Sequence, residues 1–160
     1  MIKILSERWM KNSNKLKEYI AAHPKEMNKC DYEDLVKLCF DIIYNTGKDS
    51  EDYVYGLEAD TTRITKIDDG DYQGTLMFLI PFDTYQPSSS DYLLTFVGYG
   101  SCSCCDTLQG IQNYISDEAL TPGQINGFMD LCGDIINNTI RPYNHGWRSD
   151  LKFDPVEDVI

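Results

Sequence analysis

Apolar and polar positions along the chain change period twice. Near the start, Ile2, Leu5, Trp9, Leu16, Tyr19 and Ile20 fall on one helical face, spanning about 100° of arc. Asn12-Ser13-Asn14 is the weak middle of this helix, and His23-Pro24 ends it, because the residue before a proline avoids the α region. Asp31 offers an N-cap to a second helix with the stripe Tyr32, Leu35, Val36, Cys39, Ile42 and Ile43, and Gly47 supplies a left-handed stop.

The period then shortens. Residues 61–67 are β-branched and polar in turn, and they end in the turn cluster Asp68-Asp69-Gly70-Asp71. Residues 75–82 and 92–99 carry apolar side chains on both alternate faces, the mark of covered strands, and the Pro87-Ser88-Ser89-Ser90 loop lies between them. Residues 53–57 are a candidate edge strand. Helical spacing returns at 107–115 with Leu108, Ile111 and Ile115. It returns again after Thr121-Pro122-Gly123-Gln124, a capping box with proline at the first helical position, through Ile125, Phe128, Met129, Cys132, Ile135 and Ile136. Ser103 and Asp106 match an S-x-x-D cap for the 107–115 helix. The expected fold is therefore α+β: an antiparallel meander of three to four strands flanked by about four helices. One domain spans 1–160, with a helical part at 1–48, the sheet within 53–99, a helical pair within 103–139 and an irregular tail at 140–160, where Pro142, Trp147 and Pro155 break any period.

Charge sharpens this picture. The 160 residues carry a net charge of -12. The first 48 hold nine Lys/Arg against seven acids, whereas the remainder holds five against nineteen. Such a surface argues against direct nucleic-acid or anionic-membrane binding and favours a protein partner with a basic surface. Loop acids outside helix caps are the expected partner-binding residues: Asp68, Asp69, Asp71 and Asp83. The longest apolar run, Leu76-Met77-Phe78-Leu79-Ile80, is too short to span a bilayer, and an acid at Glu7 interrupts the N-terminus before any long apolar stretch. Both features point to a cytoplasmic protein whose six cysteines are reduced.

The candidate chemistry lies at Val97-Gly98-Tyr99-Gly100-Ser101-Cys102-Ser103-Cys104-Cys105-Asp106, where a strand turns into a helix. Gly98 and Gly100 permit close backbone approach, and N–H groups at a helix start can hold an anion or acidify a thiol. Gly98, Gly100, Ser101, Cys102, Ser103, Cys105 and Asp106 are thus the expected residues of an alternative ligand site. Cys102 and Cys105 have C-x-x-C spacing, although a redox role of the thioredoxin kind expects a βαβ setting. Zinc would need Cys102 and Cys105 joined by Cys132, His145 or Cys30, and the sequence has no second C-x-x-C; no cofactor is the expectation, with zinc as the alternative. Hydrolytic chemistry at Ser101 or Cys102 would need a histidine, and only His23 and His145 exist. A phosphatase-type loop would need arginine where Leu108 stands. The turn at Asp68-Asp69-Gly70-Asp71 lacks the ligand order of a calcium loop.

Three segments, Asp69-Gly70-Asp71-Tyr72-Gln73-Gly74-Thr75, Tyr99-Gly100-Ser101-Cys102-Ser103 and Cys105-Asp106-Thr107-Leu108-Gln109, lie within residues 69–109, about a quarter of the chain. They resemble stretches of small, functionally uncharacterised proteins of bacteriophages and prophages that carry a Y-G-S-C-S-x-C-D-T-L-Q motif. The pattern in those proteins has glycine where this chain has Cys104. The resemblance implies a phage product in the bacterial host cytosol, with no active site to carry over. Together with the charge, it leads to the expectation of a small acidic protein that binds a host protein stoichiometrically, for example to inhibit a nucleic-acid-handling or anti-phage defence protein. The alternative is an anion-, small-molecule- or metal-binding protein or enzyme built on the 98–106 corner.

Overall fold

The structure, a computed structural model, describes residues 2–113 and 119–141. Among the described residues it is an α+β fold of five α-helices and a three-stranded antiparallel meander in the order β1-β2-β3. Helix α1 (Ile2–Ala22) runs unbroken through Asn12-Ser13-Asn14. Leu5, Leu16 and Ile20 on its inner face are buried, and this burial outweighs the poor helix propensity of the polar middle. At Pro24 the chain starts a single further turn, α2 (Pro24–Met27).

Helix α3 (Tyr32–Cys39) begins with the expected Asp31 cap, and Asp34 closes a reciprocal capping box with it. The α-helical pattern does not continue to Ile43. Residues Phe40–Tyr44 form a π turn, in which the Asn45 N–H reaches back to the Phe40 carbonyl at 2.8 Å. The extra residue in the turn shifts the phase of the stripe, so Phe40 and Tyr44 join Cys39 and Ile43 in the core while Ile42 is only half-buried. Arg8 from α1 donates to the Tyr44 carbonyl that the π turn leaves open, and its guanidinium lies 4.8 Å from the centre of the Tyr44 ring. Gly47 takes the left-handed conformation, with φ of 82°.

Residues 53–57 are not an edge strand. They form turns closed by bonds from Tyr53 N to Ser50 O and from Leu57 N to Val54 O. The first half of the expected 61–67 strand is also lost. Asp60 accepts from Thr62 N at 3.0 Å and binds Arg63 Nε at 2.6 Å, drawing Thr61–Arg63 into a 3-10 turn. Strand β1 (Thr65–Asp68) follows, paired with β2 (Gly74–Pro81), which pairs in turn with β3 (Tyr92–Tyr99).

Because side chains alternate across a sheet, the register sorts them into two faces. Phe78, Ile80, Leu93, Thr95 and Val97 are buried on one face. There Thr95 Oγ1 donates to the Ile135 carbonyl at 2.6 Å, fixing the sheet against α5 (Pro122–Asn137). Helix α5 starts at the expected Thr121-Gln124 capping box and packs on α1, α3, β3 and α4 (Thr107–Gln112). Helix α4 ends at Gln112, so Ile115 of the expected longer helix lies outside the described residues, as does most of the 140–160 tail. The part described shows Ile140 bridging to Leu94. No described helix is long and apolar enough to cross a membrane.

Candidate functional site: the strand-to-helix corner and the acidic turn

Strand β3 delivers Tyr99 to the same end of the sheet as the turn between β1 and β2, since Gly74 pairs with Tyr99. The Tyr99 hydroxyl donates to Asp68 Oδ1 at 2.8 Å, which ties the acidic turn to the cysteine corner. That bond, with the other nearby carboxylates, pushes the Tyr99 phenol up to about 12.

After Tyr99 the chain makes a tight loop around a buried carboxylate. Asp106 is the N-cap of α4; it is not the third residue of a cap begun by Ser103, as the S-x-x-D spacing suggests. Its Oδ1 accepts from Gln109 N at 2.8 Å and from the Tyr32 hydroxyl at 3.1 Å, while its Oδ2 accepts from Gly100 N at 3.1 Å. Tyr32 in turn accepts from Leu108 N at 3.2 Å. The N–H groups that could have gripped an external anion therefore hold the protein's own carboxylate, because Asp106 is long enough to reach both Gly100 and the helix start. Of the two glycines, Gly100 is the one that close approach requires: a Cβ there would lie 2.3 Å from the Cys105 carbonyl oxygen. At Gly98 the nearest atom would be 3.9 Å away, an ordinary contact.

The cysteines sit in the turn ahead of that cap. Both Cys105 N and Asp106 N donate to the Cys102 carbonyl, at 2.9 and 2.8 Å. This turn brings Cys102 Sγ to 3.0 Å from Cys105 Sγ, and Ser101 Oγ to 3.7 Å from the same sulfur. In its thiol form Cys105 also contacts the Cys102 carbonyl at 3.3 Å. Bonds from the Cys102 thiol and then from Ser101 stabilise the Cys105 thiolate and lower its pKa. This acidification comes from thiol, hydroxyl and backbone donors of the loop itself. Cys102, Cys104 and Cys105 are exposed, as is fitting for accessible thiols.

The other cysteines are elsewhere. Cys39 and Cys132 are fully buried, with Cys39 Sγ 3.9 Å from the Cys132 carbonyl, and burial drives the Cys39 pKa upward. Cys30 is buried beside Met27 and Gln112, and desolvation pushes it up to about 12. The alternative zinc grouping of Cys102 and Cys105 with Cys132 or Cys30 is not assembled: among the described residues no three His, Cys, Asp or Glu side chains are placed to hold a metal ion. His145 lies outside the described residues. His23 stacks on Tyr19 with ring centres 4.0 Å apart, and its Nδ1 is 2.7 Å from the Tyr19 carbonyl, so it is engaged at the end of α1.

Three of the four acids expected to bind a partner also accept hydrogen bonds within the fold. Asp69 Oδ1 accepts from Thr75 N at 2.6 Å, and Asp68 Oδ1 accepts from Gly70 N at 3.1 Å as well as from Tyr99. Asp83 holds the 53–57 turns, accepting from the Tyr53 hydroxyl at 3.0 Å and from Gly56 N at 2.8 Å. Sequence spacing could not show the bonds of Tyr99 to Asp68 or of Tyr53 and Gly56 to Asp83, because they join residues 27 to 31 positions apart. Asp71 is exposed. A second feature escaped the sequence reading. A groove of about 910 Å³ between α1 and the 41–52 segment is lined by Arg8, Lys11 and Lys15 together with Asp41 and Asp52. The i, i+3, i+7 spacing of those three bases was the available signal.

No family model, curated protein or solved structure matches the chain at a significant level.

Proposed function

We propose that this chain is a small acidic binding protein that engages a bacterial host protein stoichiometrically, and that its phage-like segments reflect a phage origin. The observation that carries the reading is the second face of the sheet. Ile67 pairs with Met77 and Met77 with Phe96, in one row across all three strands, and Leu79 and Leu94 form the next row. These residues alternate with the buried set and point away from α5. Ile67 and Phe96 are 41% and 39% exposed, and the others are half-buried. An apolar row on an open sheet face is a common form of protein-docking surface.

Beyond Ile67 the chain enters the acidic turn with Asp69 and Asp71, whereas Asp68 and the Tyr99 hydroxyl it accepts from lie on the α5 side of the sheet; Tyr72 beside the turn is 82% exposed. An apolar centre with an acidic rim fits a partner that presents an apolar patch beside Lys and Arg. The short, wholly exposed strand β1 forms the outer edge of that face.

The test is capture from bacterial lysate on the immobilised full chain, repeated with Phe96→Asp and Asp71→Lys. Phe96→Asp is expected to weaken binding of the captured protein about tenfold or more, as for a central interface aromatic. Asp71→Lys is expected to slow association and reduce its salt dependence. Capture unchanged by Phe96→Asp refutes the assignment, as does a photo-cross-linker at position 96 that reacts only with the chain itself.

A further inference from the structure

The geometry points to Cys102 and Cys105 as a dithiol–disulfide exchange site, with Cys105 as the attacking thiol, Cys102 as the resolving thiol and a small disulfide of the glutathione type as co-reactant. This site is independent of the docking face. Three observations support it. The two sulfurs are 3.0 Å apart on exposed side chains, so closure to a bond of about 2.05 Å needs a movement of only about 1 Å. The loop is held without that bond: Cys105 N and Asp106 N both bind the Cys102 carbonyl, and buried Asp106 anchors Gly100 from beneath. The loop's own donors also favour the Cys105 thiolate, the reactive form in exchange.

The expected sequence balances. The Cys105 thiolate attacks one sulfur of the small disulfide RSSR, forming a Cys105–S–S–R bond and expelling RS⁻. Cys102 gives up its proton and attacks Cys105 Sγ, which forms the Cys102–Cys105 bond and expels the second RS⁻. Two electrons pass from the protein dithiol to RSSR, and the two thiol protons end on two RSH. Excess RSH drives the same steps in reverse. Cys104 lies between the pair in sequence and is exposed, but the observed sulfur contact is between Cys102 and Cys105.

The experiment equilibrates the reduced full chain in mixtures of oxidised and reduced glutathione, quenches with acid, alkylates, and reads each cysteine by peptide mass spectrometry. The expected result is joint loss of alkylation at Cys102 and Cys105 with loss of two hydrogens, reversal by dithiothreitol, and an unchanged far-ultraviolet circular dichroism spectrum. Cys104 should stay alkylatable, and buried Cys30, Cys39 and Cys132 should react only after denaturation. Cys102→Ser should accumulate a Cys105–glutathione mixed disulfide, whereas Cys105→Ser should be glutathionylated at Cys102 several-fold more slowly. Disulfides from Cys104 in comparable yield, equal rates in the two variants, or no disulfide at ratios that oxidise a thioredoxin-type pair would overturn the assignment.

Discussion

Replacing Asp106 by alanine is the most direct test of how the corner is built, because one carboxylate there serves three donors from three parts of the chain. The side chain is 4% exposed. Loss of the cap bond to Gln109 N is worth about 1 kcal/mol, within the usual range for helix N-caps. Gly100 N loses its acceptor in a buried position, which costs about 1–3 kcal/mol, and the Tyr32 hydroxyl loses its own acceptor at about 1 kcal/mol. The expected total is about 3–5 kcal/mol. In a chain of this length each kcal/mol moves the midpoint by about 2–4 °C, so Asp106→Ala should lower Tm by about 10 °C. Asp106→Asn keeps one acceptor oxygen but turns an amide N–H₂ toward one of the donors, so its cost should be intermediate. Urea denaturation followed by circular dichroism measures both variants. A double-mutant cycle with Tyr32→Phe should be non-additive, because the two residues share a bond. A cost below about 1 kcal/mol for Asp106→Ala, or additivity within about 0.3 kcal/mol, would show that Asp106 does not organise the corner.

Two other perturbations separate parts of the argument. Burial, the leading cause in each case, raises Tyr32 and Tyr44 from 10.0 to about 12 and Cys30 from 9.0 to about 12. The folded state thus retains protons that the unfolded chain releases. The resulting stability is complete below about pH 9 and is lost as pH rises toward about 12. Urea midpoints should fall across that window, less steeply in Tyr32→Phe; a flat profile would show these groups to be solvated. Gly100→Ala should destabilise the fold and slow closure of the Cys102–Cys105 disulfide, since the new Cβ meets the Cys105 backbone at 2.3 Å. Gly98→Ala, with its nearest contact at 3.9 Å, should change stability by less than about 0.5 kcal/mol. Equal effects of the two substitutions on exchange rate would remove the close approach from the account.

What was legible in the sequence was whatever a local rule decides. Strand β3 occupies the 92–99 run, and the Asp31 and Thr121 caps stand where the spacing put them, because a cap needs only a side chain and an N–H three residues on. Errors arose where one side chain overrides the pattern. Asp60 turns a β-branched run into a 3-10 turn, and the open π turn, with its Tyr44 carbonyl held by Arg8 from 36 residues away, shifts the stripe of the second helix. At the corner, three cysteines and a glycine could be singled out. Which two sulfurs meet could not, since that depends on the Cys102 carbonyl accepting two N–H bonds and on Asp106 reaching back to Gly100.

The same reasoning changes what the acids mean. Counting charges treats Asp68, Asp69, Asp71 and Asp83 alike, yet three of them are acceptors for backbone or tyrosine donors and so are spent in part on holding their own loops. Their charge still contributes to the field at the rim, because neutral N–H and O–H donors do not cancel it. The turn is therefore negative and fixed in place at once. A fixed acidic rim beside the row of Ile67, Met77 and Phe96 costs little ordering entropy on binding, which is the physical reason for placing the proposed docking face there and not on the mixed-charge groove of α1. In that groove Lys11 is already paired with Asp52 at 3.2 Å and Arg8 with the Tyr44 carbonyl, so a ligand would have to displace contacts that the fold itself uses.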